Sequence, residues 1–315
     1  MSSPAGPRGY ALFDRVVWSE RPLRLLRQLS ADEAGERPVG VRIHWSDEPV
    51  VFAGEVVAGG PATSCSVARS DDGWSARLNG TGFVARVHSD GSVVTVHPEA
   101  GEPASQRRPA DALVTGVLTR VPMAWGCLPL HCAVLQSPKG LVLLAGRSGR
   151  GKSTLAQHLR RRLGWGLLDD DGAMACEGVA GFRVVPMGSR PRLRADAAQL
   201  LGVHGEPLGG YQGDKVAGEF ESQDPTIPQP IAAMCHLKPE RPALDLPVAV
   251  DLLPAATGVR EAVEVAIGLD RSSRTWQELR FSFAASVTAP SFAVRYRRGV
   301  HSPDEVVHRL AEALS

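Results

Sequence analysis

The sequence predicts an α/β protein in which a β-rich N-terminal domain, residues 1–108, precedes a phosphate-loop catalytic domain, residues 109–315. Three observations carry this expectation. Apolar and polar residues alternate through WSARLNGTGFVARVHSDGSVVTVH, the period-two pattern of half-buried strands. A fully apolar run, GLVLLAG, leads directly into a glycine-rich loop and then into a segment of helical periodicity. At 315 residues, 43% of them hydrophobic, the chain is long for one compact domain and can bury a real core.

In chain order, the alternating stretch breaks at Asn79-Gly80 and Asp90-Gly91, turn pairs favoured in tight hairpins, so it reads as a meander with His88 and His97 at exposed strand ends. PEAGEPASQRRPAD has no periodicity and reads as the linker that places the boundary near 108. Leu113, Val114, Val117, Leu118 and Val121 fall on one face of a helix. LPLHCAVL and GLVLLAG read as adjacent strands, and Ser153 to Leu163 as a helix ending at Gly164. Leu167-Leu168 predicts a short strand that ends in Asp169, Asp170 and Asp171. Residues 205–245, rich in Gly, Pro and Gln, read as a loop; VAVDLLP reads as one strand and FSFAASVTAPSFAVRYRRG as two, with a turn near Pro290. At the end Ser302, Pro303 and Glu305 form a capping box before a helix with Val306, Val307, Leu310 and Leu314 on its apolar face.

Composition narrows the function. Basic and acidic residues nearly cancel, 35 against 34, so no overall field draws the protein to nucleic acid or to an anionic membrane. The five cysteines lack metal-site or redox-pair spacing and read as reduced core thiols. The start MSSPAGPRGYALFD has no apolar signal core and no apolar run is long enough to span a bilayer, so a cytoplasmic enzyme is expected.

The chemistry centres on GRSGRGKST, residues Gly146, Arg147, Ser148, Gly149, Arg150, Gly151, Lys152, Ser153 and Thr154, which fits G-x-x-x-x-G-K-[ST] in full. Glycines let backbone N–H groups crowd a polyphosphate, and the following helix adds its positive end. Lys152 can reach the β- and γ-phosphates and the Ser153 hydroxyl can ligate magnesium. Lysine is rare here, at positions 139, 152, 215 and 238 only, in a chain that otherwise uses arginine. The expected cofactors are ATP and Mg2+. In open α/β sheets ligands sit beyond the carboxyl ends of strands, which aims the three aspartates at the phosphates, one to hold magnesium and a second to accept a proton. His131 lies in an apolar run and by pattern alone is a core histidine.

The segment 130–171, LHCAVLQSPKGLVLLAGRSGRGKSTLAQHLRRRLGWGLLDDD, resembles the catalytic core of the HPr kinase/phosphorylase family and its shorter relatives. There a strand bearing a histidine precedes a second strand, a loop of the form G-x-S-G-x-G-K-S, a helix, and a strand ending in Asp-Asp. The resemblance implies an HPr-kinase-like (PEP-carboxykinase-like) fold, with Asp170 as the base that activates an acceptor hydroxyl, Asp171 with Ser153 on magnesium, and His131 orienting the first carboxylate. One extra residue in the intervening helix leaves Asp169 open for either role. The β-rich front and the C-terminal segment resemble, more loosely, HPr-kinase-like proteins found beside peptide natural-product pathways, some of which phosphorylate a precursor peptide.

A glycine-rich signature of the type L-E-x-R-G-x-G, which the bifunctional family carries downstream, has no counterpart; the chain has GSRPRLR there. Phosphorylase activity and HPr as substrate are therefore not expected. Arg190, Arg192, Arg194 and Lys215 either clamp phosphate or form a solvated face. The expectation is an ATP-dependent kinase acting on a hydroxyl of a peptide or small-molecule acceptor; a nucleotide-binding scaffold and a partner-stimulated ATPase are the alternatives. Relatives commonly assemble into oligomers, so a homo-oligomer is an open expectation.

Overall fold

The computed structural model describes residues 6–59, 65–101, 109–147, 149–178, 181–208, 214–219, 230–239, 247–297 and 300–314. The first eight strands, β1 (Arg8–Leu12), β2 (Arg15–Ser19), β3 (Val39–Trp45), β4 (Val56–Gly59), β5 (Cys65–Ser70), β6 (Gly73–Leu78), β7 (Phe83–His88) and β8 (Val93–Pro98), make one sheet, with a short helix α1 (Ala31–Gly35) between β2 and β3. Their order is β1-β2-β3-β8-β7-β6-β5-β4. The β6-β7-β8 meander is the one the alternation predicts, with Gly80 and Gly91 at φ of 68° and 71° in its turns. His88 is exposed, but His97 is buried, with Nδ1 3.2 Å from the Glu48 carbonyl oxygen; the expectation of an exposed His97 is corrected. The linker reading falls largely on residues 102–108, outside the described ones.

Residues 109–125 differ from an amphipathic α-helix. A short α2 (Pro109–Ala112) passes into a π-helical turn, Leu113–Leu118, and then a 3-10 turn, Val121–Trp125. All six residues 113–118 are buried, because the segment packs under β5 and β6 and joins the core of the first sheet. That core also takes Met174, Cys176, Val185 and Met187 from the back half of the chain.

The back half follows as β9 (Leu128–Leu130), β10 (Cys132–Ser137), β11 (Gly140–Ala145), α3 (Lys152–Leu163), β12 (Gly166–Asp169), β13 (Ala173–Gly178), β14 (Gly181–Pro186), β15 (Arg192–Arg194), α4 (Ala195–Leu200), β16 (Glu206–Pro207), β17 (Lys215–Ala217), β18 (Ile231–Pro239), β19 (Ala249–Leu252), α5 (Ala255–Val265), α6 (Arg274–Ser286), β20 (Ser291–Tyr296) and α7 (Pro303–Leu314). A six-stranded sheet, β12-β10-β11-β18-β20-β19, forms its centre, with β11, β18 and β20 parallel to one another. Leu155, Leu159, Val306, Val307 and Leu310 of α3 and α7 cover one face of this sheet. Trp276, Phe283 and Ala262 of α5 and α6 cover the other. The chain is thus a mixed α/β protein with several sheets.

Two elements depart from the sequence reading. Within the expected loop 205–245, Ile231–Pro239 is a buried central strand. FSFAAS belongs to α6 rather than to a strand: Trp276, Phe283 and Ala284 are spaced at i, i+7 and i+8 and share the buried side. The remaining strand, Ser291–Tyr296, and the Ser302 cap, whose Oγ accepts from Glu305 N at 3.2 Å, are as expected. The cysteine reading is also corrected: Cys127 and Cys176 form a disulfide, while Cys65, Cys132 and Cys235 are buried thiols outside it. No helix among the described residues is long and apolar enough to cross a membrane.

Candidate nucleotide site

The glycine loop begins where β11 ends. All six residues of β11 are buried between the two helical layers, which fixes the point at which the chain emerges. Gly146, Gly149 and Gly151 take φ of 152°, 79° and 85°, a region costly for residues with a Cβ. Gly151 is the N-cap of α3 and offers no side chain, so the first amides of the helix remain for an anion. The loop is held from outside: Arg150 donates from its guanidinium to the Leu237 carbonyl at 3.1 Å, and the Tyr296 hydroxyl donates to the Arg150 carbonyl. Arg147 and Gly149 are exposed, Ser153 and Thr154 are half-buried, and Ser148 lies outside the described residues.

Lys152 is buried, and its ammonium donates to the Gly146 carbonyl at 2.7 Å and to His131 Nε2 at 3.0 Å. That contact makes Nε2 the acceptor and leaves the ring proton on Nδ1, which donates to the Asp171 carbonyl at 3.1 Å. Burial, helped by Lys152, lowers the His131 pKa, so the ring is neutral. His131 sits between β9 and β10, which belong to different sheets although the sequence runs them together. The structure therefore places His131 on Asp171 and Lys152, whereas the resemblance implies that it orients the first carboxylate.

The three aspartates have distinct environments. Asp169 Oδ1 accepts from Asp171 N at 2.8 Å and Gly172 N at 2.9 Å, and Oδ2 accepts from Ser189 N at 2.7 Å. Both oxygens are spent on shaping the turn, so of the two roles left open Asp169 fits neither. Asp170 is buried; its Oδ2 accepts from Arg192 N at 2.8 Å and its Oδ1 has no hydrogen-bond partner. Burial raises its pKa, against the pull of Arg192, with Asp171 adding to the rise and the Ser153 side chain opposing it. Asp171 is held near 2: burial pushes it up, but the cations Arg192, Lys152 and Lys215 outweigh that.

Arg192 is the basic residue that the pattern of alternating arginines did not single out. It is buried and its guanidinium meets Asp171. Arg190 points elsewhere, donating to the Gly218 carbonyl at 2.8 Å, and exposed Arg194 pairs with Asp214 at 3.1 Å. Sequence reasoning also missed His236 on β18, level with Ala145 in the parallel register. Burial pushes its pKa down to about 4, and its Nε2 has no hydrogen-bond partner. Neither it nor Tyr296 stands in any recognisable motif.

No protein-family profile matches the chain, and no curated protein is similar to it. Among solved structures, the HPr(Ser) kinase/phosphatase from Coxiella burnetii is similar at a TM-score of 0.28 and 14% identity, over 59% of this chain and 89% of that one.

Proposed function

We propose that this protein binds ATP with magnesium at the loop 146–154 and transfers the γ-phosphoryl group to a hydroxyl of a peptide or small-molecule acceptor. The observation that supports it best is the pair of neighbouring carboxylates whose environments pull their pKa values apart beside a phosphate loop. Asp170, buried, raised in pKa and close to the Ser153 side chain at the start of α3, is suited to take the acceptor's proton. Asp171 stays ionised over the whole working range, which suits a cation partner.

Among the described residues no group of three or more His, Cys, Asp and Glu side chains is placed to hold a metal. Magnesium in phosphoryl transfer needs only one or two protein oxygens beside phosphate and water, and Ser153 with Asp171 would supply them. The ion, when bound, would neutralise charge on the phosphate oxygens. Lys152 would turn from the Gly146 carbonyl to the β- and γ-phosphates, while neutral His131 keeps its contacts on either side. In this reading residues 1–108 recognise the acceptor or a partner, and self-association is left to the solution state.

The test is incubation of the protein with Mg-ATP and hydroxyl-bearing peptides, followed by mass spectrometry for the gain of one phosphate. Product from the wild type and none from Asp170→Asn is the expected result. Equal product from both sinks the assignment of the base. ATP binding without product from any acceptor favours a nucleotide-binding scaffold.

A further inference from the structure

A cavity of about 650 Å3 opens beside the glycine loop, within the range of small-ligand pockets. One wall is the first turn of α3, with Gly151, Thr154 and Leu155; the others come from Leu200 at the end of α4, Tyr296 at the end of β20, and Val300. Leu200 and Val300 are 72% and 55% exposed, two of the seven large apolar side chains left in solvent among the described residues, and both border this one opening. Single exposed apolar side chains need no explanation, but two facing one cavity mark a place where apolar surface is to be covered.

We propose that this cavity is the nucleoside pocket and that it holds the base by apolar burial. The inference rests on the phosphate-loop reading above. A polyphosphate wrapped by the loop amides extends past the start of α3, and Gly151 and Thr154 belong both to the loop and to the cavity wall, so whatever is attached to the phosphates enters here. Several polar side chains at the rim are already engaged locally. Arg194 pairs with Asp214 and Asp196 accepts from Ala197 N at 2.8 Å. His301 Nδ1 accepts from Arg297 N at 2.9 Å, Ser302 Oγ from Glu305 N, and the Tyr296 hydroxyl is turned to Arg150. With Leu155, Leu200, Val300 and Val306 in its lining, the pocket offers apolar cover to a flat ring, and adenine and guanine nucleotides should bind alike.

The test is calorimetric titration with ATP, GTP and inorganic tripolyphosphate, each with magnesium, on the full chain and on three variants. Leu200→Asp and Val300→Asp each put a charge in the apolar wall at a position exposed enough to leave folding intact. Each should weaken ATP and GTP about tenfold while leaving tripolyphosphate unchanged. Leu252→Asp, at a 66% exposed site outside the cavity, should change nothing. In the wild type, ATP and GTP should differ by less than the roughly tenfold that one base-reading hydrogen bond gives. Unchanged ATP affinity in both pocket variants overturns the assignment, as does an equal loss for tripolyphosphate. A large preference for one purine overturns the claim that burial holds the base. If tripolyphosphate itself fails to bind the wild type, the phosphate-loop reading falls and the pocket with it; if it binds and ATP binds no better, only the pocket falls.

Discussion

Arg192→Met removes the cation on which the aspartate pair depends while keeping most of the side chain's volume. Arg192 is 5% exposed, its guanidinium meets Asp171, and its charge also lowers the pKa of Asp170. Breaking a buried ion pair from one side costs about 3–5 kcal/mol. The Asp171 side chain is 26% exposed, so water recovers part of that, and about 2–3 kcal/mol is the better figure here. A second route gives a similar size: the drop of Asp171 from 3.8 to about 2 corresponds to about 2 kcal/mol, which is what Arg192, Lys152 and Lys215 contribute after offsetting burial. In the wild type this folded-state pKa is depressed, so the stability it brings is present above pH 3.8 and is lost as pH falls towards 2. In the variant Asp171 loses its largest lowering influence and its pKa rises, and Asp170, already raised by burial, is raised further, so the deficit against wild type grows as pH rises. The thermal midpoint at pH 8 should therefore fall by about 3–5 °C, and the deficit against wild type should shrink at pH 5. Calorimetry or circular dichroism at the two pH values reads this. A variant as stable as wild type at pH 8, or a deficit that grows at pH 5, would refute the account.

Three further outcomes follow from the same geometry. Asp169→Asn leaves one acceptor oxygen for the three backbone amides that bond the carboxylate, and the stranded amide should cost about 1–3 kcal/mol in urea titration; no change would mean that the turn is held by other bonds. Gly151→Ala places a Cβ at φ 85° and 3.2 Å from the Tyr296 hydroxyl, so it should lose about 1 kcal/mol of stability and most of its affinity for tripolyphosphate. Retained affinity would show that this glycine's conformation is dispensable. Replacing Cys127 and Cys176 by Ser opens a link across 49 residues and should lower stability by about 4 kcal/mol on the chain-entropy account. The loss should match that caused by reductant on the wild type, and a much smaller one would show that the cysteines are not bonded.

The strand, loop, helix and strand around residues 140–169 were legible because each has a local cause: an apolar run, three glycines, a helical period and Gly164 to end it. The misreadings have non-local causes. Ile231–Pro239 was hidden by the Gly, Pro and Gln around it, and becomes a strand because β11 and β20 offer it two parallel partners. FSFAAS has strand-like composition, and only burial of Trp276 seven residues before Phe283 makes it helical. Cys127 and Cys176 meet because they continue the β9–β13 register, in which Ala175 faces Leu128. At the site, the motif named the loop and the aspartates, but not which carboxylate is spent on a turn, nor that Arg192 turns inward while Arg194 does not. Those are decided by Ser189 and by the short strand Arg192–Arg194, neither of which has a sequence signature.

The π-helical turn at Leu113–Leu118 and the β13–β14 hairpin both lie in the core of the first sheet, so the chain on either side of a boundary near 108 contributes to one apolar interior. A protease cut there would sever the backbone without freeing either piece, and the nicked protein should still migrate as one particle. Expressed apart, each piece would carry a bare apolar face into water and would be expected to aggregate. A change that unfolds the eight-stranded sheet is then expected to disturb the sheet that carries the glycine loop as well.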